Sequence, residues 1–476
     1  MSMKNLSLIS ACLLLGACGS TPAPLDSGLA APSQWRYLAA GRSDASDIRQ
    51  WWKAFGAPEL DSLLQRALLN SQDLGAAVAR VRQAQASAVI AGAPLLPELN
   101  ATLGASRQKL LRDSGYSGTD ATSDNDAVDS FSAGLSASYE VDFWGGRRAA
   151  YRSALESLKA SEYDRATVEL TLLSGVANSY LQVLALREQQ RIARLNLDNA
   201  EHVLRLVETR HAAGSATALE VAQQSSLVAS QRKRKQLPLL EQQAHEALIT
   251  LATLIGEPVQ ALQVAERPFD SLRWPETGAG LPSELLSRRP DIANAEAQLA
   301  AAQADVQVAR AALFPKLTLS ASLSSGANRA ADTFRNPYYN LGANLLAPIF
   351  NHGRLRAERD RSLARQEELL ETYRKAILTA FADTERSLNS IDGLDRQLHW
   401  QQQELEQAQR AFDLSDSRYQ AGAETLLTVL ETQRTLYAAQ DAAVQLRLAR
   451  LQASVGLYKA LGGGWQSDRQ GLARKD

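Results

Sequence analysis

The sequence predicts a mainly helical fold that also contains transmembrane β-strands, with each chain built as an internal duplication. Three observations support this prediction. Similar motifs recur about 210 residues apart, long segments show helical periodicity with few helix breakers, and four short segments alternate between apolar and polar residues. Each half is predicted to contain, in order, a helix, two strands, a long helix and a further helix.

The duplication is visible in two pairs of matching segments. The segment that begins at Asp73 matches the one that begins at Asp291, and the same offset of 218 residues holds at the prolines that follow them. The second pair, residues 210–221 and 418–429, has an offset of 208 residues. A repeat of this length far exceeds the unit of a solenoid protein, so each copy is expected to be a whole structural half.

Long uninterrupted helical patterns follow the second strand of each half. These helices are predicted at about residues 147–212 and 354–421, or roughly 100 Å each at about 1.5 Å per residue. Gly214 and Gly422 are typical of the residue that ends a helix in a left-handed conformation. Such lengths indicate coiled-coil packing or a tall helical wall. Shorter helices are predicted at about 59–92, 216–255 and 425–461.

Four alternating segments are the predicted strands. In the clearest one, apolar residues from Phe131 to Phe143 alternate with mostly small polar residues. A half-buried strand in a soluble sandwich is the alternative interpretation. The polar faces are almost all small and uncharged, which favours a water-filled lumen, and each segment is long enough to cross a bilayer when tilted. The strands are predicted at about 97–108, 130–142, 315–325 and 338–349.

Four strands are too few to close a barrel, because single-chain barrels begin at about eight strands. Open sheet edges are not tolerated in lipid, where no water can satisfy the backbone. If the strands lie in a membrane, the subunit must therefore share one barrel with copies of itself. This argument requires an oligomer but does not fix the number of copies.

The N-terminus is typical of a secreted lipoprotein. Lys4 precedes an apolar stretch over residues 6–16, and Leu-Gly-Ala-Cys closes this stretch at Cys18. The four residues resemble a lipobox, in which the cysteine becomes the acylated first residue. Cys12 fits the pattern less well, because it would leave an apolar core of only about five residues. An ordinary signal peptide with an incidental cysteine is the alternative. No other apolar run approaches the length of a spanning helix.

Neither the charge nor the motifs indicate an enzyme. The 51 basic and 52 acidic residues give a formal charge of −1, and no charged block resembles a nucleic-acid-binding arm. The five histidines are scattered, and no cysteine follows Cys18. Metal-binding His-Glu-x-x-His spacing, a phosphate-binding glycine loop and a Gly-x-Ser-x-Gly elbow are all absent from the sequence. We therefore expect no catalytic site, metal or cofactor, and no nucleic-acid partner.

Several short motifs occur in a fixed order along the chain. They are the lipobox at Cys18, Trp51–Gly56, Tyr139–Gly145, Leu281–Asp291, Pro348–Phe350 with Gly353-Arg354, and two Arg-x-x-x-Gly turns. This ordered set resembles the TolC/OprM family of outer-membrane efflux proteins, in the lipoprotein branch paired with resistance-nodulation-division pumps. The resemblance covers nearly the whole mature chain. It implies a homotrimer whose twelve strands form one β-barrel, continued by a twelve-helix periplasmic α-barrel.

The resemblance also implies a division of the chain and a set of partners. The partners are a periplasmic adaptor protein, an inner-membrane resistance-nodulation-division transporter and outer-membrane lipid, and the chain is expected in the outer membrane with a periplasmic extension. The divisions are a signal peptide (1–17), a lipidated N-terminal segment and equatorial belt (18–58), a first repeat (59–256), an equatorial linker (257–283), a second repeat (284–461) and a C-terminal tail (462–476).

Matching the family's closed mouth residue by residue implies a periplasmic gate. Leu427 would form an apolar ring, and Glu431 an acidic ring one helical turn deeper. Tyr419 and Glu220 match the partners of a polar link between hairpins, whereas Glu424 stands where some relatives have arginine. Solvated helix surface, or coiled-coil core for Leu427, is the alternative interpretation.

The two Arg-x-x-x-Gly turns are implied as docking sites for the tip of the adaptor. They contain Arg210 with Gly214, and Arg418 with Gly422. The same residues can also be ordinary helix ends, because arginine suits the C-terminal end of the helix dipole and glycine suits the left-handed cap.

Two other functions remain open on the sequence. One is the outer-membrane duct of a type I protein secretion system, which the motifs separate only weakly from small-molecule efflux. The other is a structural coiled-coil lipoprotein without a pore, which the alternating strands disfavour. The sequence does not identify the exported substrate.

Overall fold

The computed structural model describes residues 27–37, 50–109, 127–233, 236–275 and 278–466. Cys18, the predicted signal peptide and most of the C-terminal tail lie outside the described residues. The chain divides into two compact units, which are considered separately. Unit 1 comprises Met1–Ser27, Val81–Ala160 and Ala295–Tyr373, and unit 2 comprises Gly28–Arg80, Ser161–Asn294 and Arg374–Asp476.

A four-stranded antiparallel sheet dominates unit 1. Its strands follow the order of the sequence, so each strand pairs with the one before and after it. They are β1 (Glu98–Gln108), β2 (Val128–Val141), β3 (Lys316–Ala327) and β4 (Pro337–Leu346). β4 ends three residues before the predicted position 349, because Pro348 has no N–H to donate to a ladder.

The register aligns the apolar residues of all four strands on one face of the sheet. Leu135 pairs with Ala101 on one side and with Leu323 on the other, and Leu323 pairs with Tyr339. Since side chains alternate between faces, this register places serine, threonine, asparagine and glycine on the opposite face. A Cβ at Gly104 would lie 2.8 Å from the Ser132 hydroxyl oxygen, which shows how tightly the small side chains of this face pack.

Nine α-helices account for most of the described chain. They are α1 (Pro58–Asn70), α2 (Gln72–Gly92), α3 (Gly146–Ala212), α4 (Ala218–Lys233), α5 (Gln236–Ile255), α6 (Pro282–Arg288), α7 (Pro290–Ala311), α8 (Arg354–Gln420) and α9 (Leu426–Ala460). α3 and α8 have 67 residues each and follow β2 and β4, so the two halves repeat the same order of elements.

The predicted single helix over 59–92 is wrong, because the chain forms two helices there. Ser71 is extended, with φ −63° and ψ 124°, and it separates α1 from α2. Its hydroxyl accepts a hydrogen bond from the backbone N–H of Leu74 at 3.4 Å. Serine commonly caps a helix N-terminus in this way, so Ser71 starts the second helix as it ends the first.

Helix packing in unit 2 buries both apolar residues and paired charges. One core cluster joins Val203 and Val207 of α3 to Phe412 of α8 and Val429 and Leu436 of α9. Elsewhere in the unit, buried Arg450 of α9 donates to Asp395 of α8 at 2.5 Å. Charged side chains are buried at low cost only when they are paired, so this contact fixes the two helices against each other.

Two arginines donate hydrogen bonds to backbone carbonyls of the linker between the two repeats (residues 257–283). Arg187 of α3 donates to the carbonyl oxygens of Val264 and Ala265 at 2.9 and 3.1 Å. Arg447 of α9 donates to the carbonyl oxygens of Asp270 and Leu272 at 2.6 and 2.8 Å. The irregular linker thus obtains partners for carbonyl groups that no helix or strand satisfies.

Within the described parts of the chain, no helix is both long and apolar enough to cross a membrane.

Gly256, at the end of α5, provides a test of the packing in unit 2. Its φ of +81° lies in the left-handed region, and an added Cβ would collide with the Asn70 carbonyl oxygen. We expect Gly256→Ala to lower stability by about 2 kcal/mol or more. Gly145→Ala is the matched control, because Gly145 has φ +72° but nothing near its Cβ position. Thermal unfolding followed by circular dichroism should show the larger loss for Gly256→Ala, and equal losses would contradict the collision.

Candidate gate and docking turns

Two helical hairpins contain every described candidate residue, and all of these residues lie in unit 2. The first hairpin consists of α3 with its return helices α4 and α5, and the second consists of α8 with α9. Each turn ends its long helix with a glycine at φ +75°, Gly214 in the first and Gly422 in the second. These two positions require glycine because the left-handed conformation is unfavourable for residues with a Cβ.

Backbone hydrogen bonds show that the two turns have the same geometry. Ser215 N–H donates to the Arg210 carbonyl at 2.8 Å, and Ala423 N–H donates to the Arg418 carbonyl at 2.8 Å. A bond of this span, with the glycine N–H bonded to a nearer carbonyl, defines the Schellman motif. The duplicated Arg-x-x-x-Gly motif therefore forms the same helix end twice.

A capping box starts the return helix of the first hairpin. Thr217 N–H donates to the Glu220 carboxylate at 2.6 Å, and Glu220 N–H donates to the Thr217 hydroxyl at 3.2 Å. This reciprocal pair satisfies two helix N–H groups that have no partner within the helix. The Thr-x-x-Glu spacing is readable in the sequence. The structure therefore gives Glu220 a local partner within its own turn.

The second hairpin keeps the capping threonine, Thr425, but has Thr428 where the first hairpin has Glu220. Glu424 accepts hydrogen bonds from Thr425 N–H at 3.0 Å and from the Thr428 hydroxyl at 3.1 Å. These bonds, and then the charge of Arg418 at 3.7 Å, hold the pKa of the Glu424 carboxyl below its usual range. Glu424 thus forms an ion pair with an arginine in its own turn.

Tyr419 lies at the contact between the two hairpins. Its side chain is 1% exposed, and its hydroxyl has no hydrogen-bond partner among the described residues. Burial raises the pKa of Tyr419; the nearby charge of Arg210 acts to lower it and that of Glu220 to raise it. Arg210 of the first hairpin donates to the Tyr419 carbonyl at 2.6 Å and lies over its ring, 4.6 Å from the centroid. This contact was not predicted.

Leu427 and Glu431 lie on the exposed side of α9. Leu427 is 58% exposed, whereas its neighbours Leu426 and Val429 are buried in the core between the hairpins. Leu219, at the equivalent position of the first hairpin, is 66% exposed. The structure thus brings Arg210, Tyr419 and the two turns together, and it presents Leu427 and Glu431 on a free helix face. Arg418 is also accessible, with 63% of its side chain exposed.

Glu220 allows the capping box to be tested. Glu220→Ala removes the reciprocal acceptor and should destabilise the start of α4 by about 1 kcal/mol, whereas Glu220→Gln should retain most of the bonding. Hydrogen–deuterium exchange of peptides that cover residues 217–224 measures this difference. Faster exchange in both variants would show that the carboxylate charge, rather than the cap, stabilises the turn. Unchanged exchange in Glu220→Ala would contradict the capping role.

Comparisons with known proteins agree with this architecture. A family model described as outer membrane efflux protein matches residues 63–257 and 281–463. The pyoverdine export outer membrane protein OpmQ of Pseudomonas aeruginosa PAO1 is 99% identical over 476 residues, covering all of both chains. Its namesake in Pseudomonas putida KT2440 is 59% identical over 465 residues, covering 98% of each. The outer-membrane channel OprN has a TM-score of 0.85 and 28% identity, covering 94% of this chain and 99% of that one. The chain belongs to the outer membrane efflux protein family.

Proposed function

We propose that this chain is the outer-membrane exit duct of a tripartite efflux pump. The observation that carries the proposal is the sheet of unit 1. Its apolar face is continuous across four strands, and within the described chain β1 pairs only with β2 and β4 only with β3. Such a sheet needs a strand on each open edge and an apolar environment on one face. Membership of the outer membrane efflux protein family supports both requirements.

The proposed assembly is a homotrimer anchored through acylated Cys18. Three copies supply twelve strands, a number that lies within the range of closed membrane barrels. The small polar side chains of the sheet would then line a water-filled lumen, and the long helices would continue the wall into the periplasm. The duct itself performs no catalysis in this proposal and uses no cofactor.

Pyoverdine is the proposed cargo. The proposal rests on the relative that is 99% identical over the whole chain, because that protein is named for pyoverdine export. A full-length relative at 59% identity carries the same name. Sequence motifs alone left the cargo open, so this step depends on the comparison and not on the geometry of the lumen.

A periplasmic adaptor and an inner-membrane resistance-nodulation-division transporter are the proposed partners. The sequence contains no nucleotide-binding glycine loop that could couple transport to ATP. Energy must then come from the partner transporter. The two hairpin turns are the proposed docking sites for the adaptor, and exposed Arg418 offers a cation for carboxylates or carbonyl groups at the adaptor tip.

The exposed face of α9 is the proposed gate. Leu427 and Glu431 are one helical turn apart, so three copies around an axis would form an apolar ring followed by an acidic ring. The apolar ring would exclude water, and the acidic ring would attract cations. Tyr419, Glu220 and Glu424 would stabilise the closed mouth, the last two through the local caps of their own turns.

Export provides the test of function and docking together. Cells that lack this chain should retain pyoverdine in the periplasm, and the wild-type chain should restore pyoverdine in the medium, as measured by mass spectrometry. Arg418→Glu should reduce export at least several-fold, because it reverses the charge at the proposed docking turn. Arg396→Glu is the matched control, since the Arg396 side chain is 74% exposed, against 63% for Arg418, but lies about 33 Å from Arg418 along α8.

Three outcomes would contradict these assignments. Unchanged pyoverdine in cells without the chain would refute the cargo. Loss of a secreted protein instead would identify a duct for protein secretion. Full export by Arg418→Glu would refute docking at the second turn, and equal loss in both variants would show a general effect of charge on the hairpin.

Single-channel conductance tests the gate. Leu427→Ala combined with Glu431→Ala should raise the conductance of trimers in planar bilayers several-fold, because it removes both proposed rings. Leu414→Ala combined with Asp413→Ala is the control, since it removes an exposed leucine and an acidic residue from α8 instead. A conductance that stays at the wild-type level in the first variant would refute the gate assignment.

A further inference from the structure

We propose that Arg210 is the positioning residue that holds the two hairpins of one chain together at the mouth. We further propose that it acts on the ring and the backbone carbonyl of Tyr419 and not on the tyrosine hydroxyl. This contact is called the Arg210 latch below. The inference rests on the proposed duct function, because it assigns to the latch the closed state of the proposed gate.

The guanidinium of Arg210 spans from the first turn to the second. It donates a hydrogen bond of 2.6 Å to the Tyr419 carbonyl, and its central carbon lies 4.6 Å from the centre of the ring. A Cβ added to Gly422 would lie 3.8 Å from Arg210 Nη2, so the guanidinium also reaches the second turn itself. A planar guanidinium can stack on a ring while donating in its own plane, which a lysine ammonium cannot do.

The acceptor lies where a cation is most favourable. Tyr419 is the second-last residue of α8, and its carbonyl already accepts the Gly422 N–H of the Schellman turn at 3.0 Å, so Arg210 donates the second hydrogen bond to this oxygen. The C-terminal end of a helix also carries partial negative charge. Arg210 therefore caps the long helix of the second hairpin although it belongs to the first. A charged donor makes this bond stronger than an ordinary backbone bond.

Comparison of the two repeat-equivalent turns shows that only one of the two equivalent arginines among the described residues makes this contact. Arg418 is the repeat equivalent of Arg210, but among the described residues it donates to the Ala423 carbonyl at 3.4 Å and forms an ion pair with Glu424 at 3.7 Å, both within its own turn. The equivalent of Tyr419 is His211, which is exposed and bonds to the Ala216 carbonyl within its own turn. The first turn thus offers no buried ring to Arg418. One arginine holds the hairpins together, while the other stays on the surface.

The tyrosine hydroxyl makes no contribution to the latch. It is buried and without a partner in the described chain, and the Glu220 carboxylate bonds to Thr217 instead. Glu424 is likewise held by residues of its own turn. The polar link that the family resemblance implies for Tyr419 is therefore replaced by stacking and a carbonyl bond from Arg210.

Within the described chain, the bond from Arg210 is the hydrogen bond between the two hairpins that lies nearest to their turns. Two others join them higher up: Tyr437 donates to the Asn196 carbonyl at 2.7 Å, and Gln189 donates to Asp441 at 2.7 Å. Asn196 and Arg210 are about 21 Å apart along α3. Loss of the latch would therefore free the tips of the hairpins while the upper bonds keep the chain assembled.

Conductance of purified trimers in planar bilayers tests the latch. Arg210→Ala should raise conductance several-fold, and Arg210→Lys should have an intermediate effect because it keeps the charge but loses the planar group. Tyr419→Phe should stay closed, whereas Tyr419→Ala should open. Arg205→Ala is the control, since Arg205 is an exposed arginine on the same helix. Heat-resistant trimers on gels establish that each variant is assembled.

The possible outcomes distinguish a failure of the Arg210 latch from a failure of the proposed duct function. Opening by Tyr419→Phe to the level of Arg210→Ala would overturn the proposal and assign the link to the hydroxyl. If Arg210→Ala trimers keep the wild-type conductance while trimers with both Leu427→Ala and Glu431→Ala conduct more, the latch alone is overturned. Trimers that never conduct in any variant would refute the duct and the latch together. Hydrogen exchange gives an independent readout: residues 415–422 should exchange faster in Arg210→Ala, and unchanged exchange would also overturn the latch.

Discussion

The unpaired edges of one small sheet are the constraint on which the rest of the molecule depends. β1 and β4 each have a neighbour on one side only within the described chain. A strand edge leaves a row of N–H and C=O groups that need partners, and lipid supplies none. One subunit is therefore structurally incomplete as a membrane protein. The duplication provides the regular arrangement, because each half contributes two strands to the sheet and one helical hairpin.

Duplication fixes the backbone of the two turns more strictly than it fixes their side chains. Both turns keep the Schellman hydrogen bonds and a glycine at φ +75°. A threonine caps both return helices, but its N–H bonds to Glu220, three residues later, in one copy and to Glu424, one residue earlier, in the other. The largest difference is His211 in one copy where the other has Tyr419. Equivalent backbones thus support a surface arginine in one turn and a contact between hairpins in the other.

Local periodicity explains why most of the architecture was predictable. Strands with period two and helices without breakers are encoded within short windows, so the four strands and the long helices were expected close to their observed bounds. Ser71 was missed because a single extended residue hardly disturbs a helical pattern. The Thr217–Glu220 cap had a sequence signal that was not used. The contact of Arg210 with Tyr419 had none, since 209 residues separate the pair and only packing brings them together.

The distribution of charge on the sheet indicates where passage through the proposed duct is controlled. From Asn100 to Ser106 and across its partners, the polar face carries only small uncharged groups and the Tyr338 side chain. Acidic residues enter that face at one end, where Glu140 is paired with Arg147 at 2.6 Å. A lumen lined by hydroxyl and amide groups offers a solute no net charge and little apolar surface to hold it, so it discriminates weakly. The hairpin tips combine acidic residues, exposed leucines and the contact between Arg210 and Tyr419. In the proposed duct, the strand face is therefore inert toward solutes, and the proposed gate at the hairpin tips is the part that controls passage.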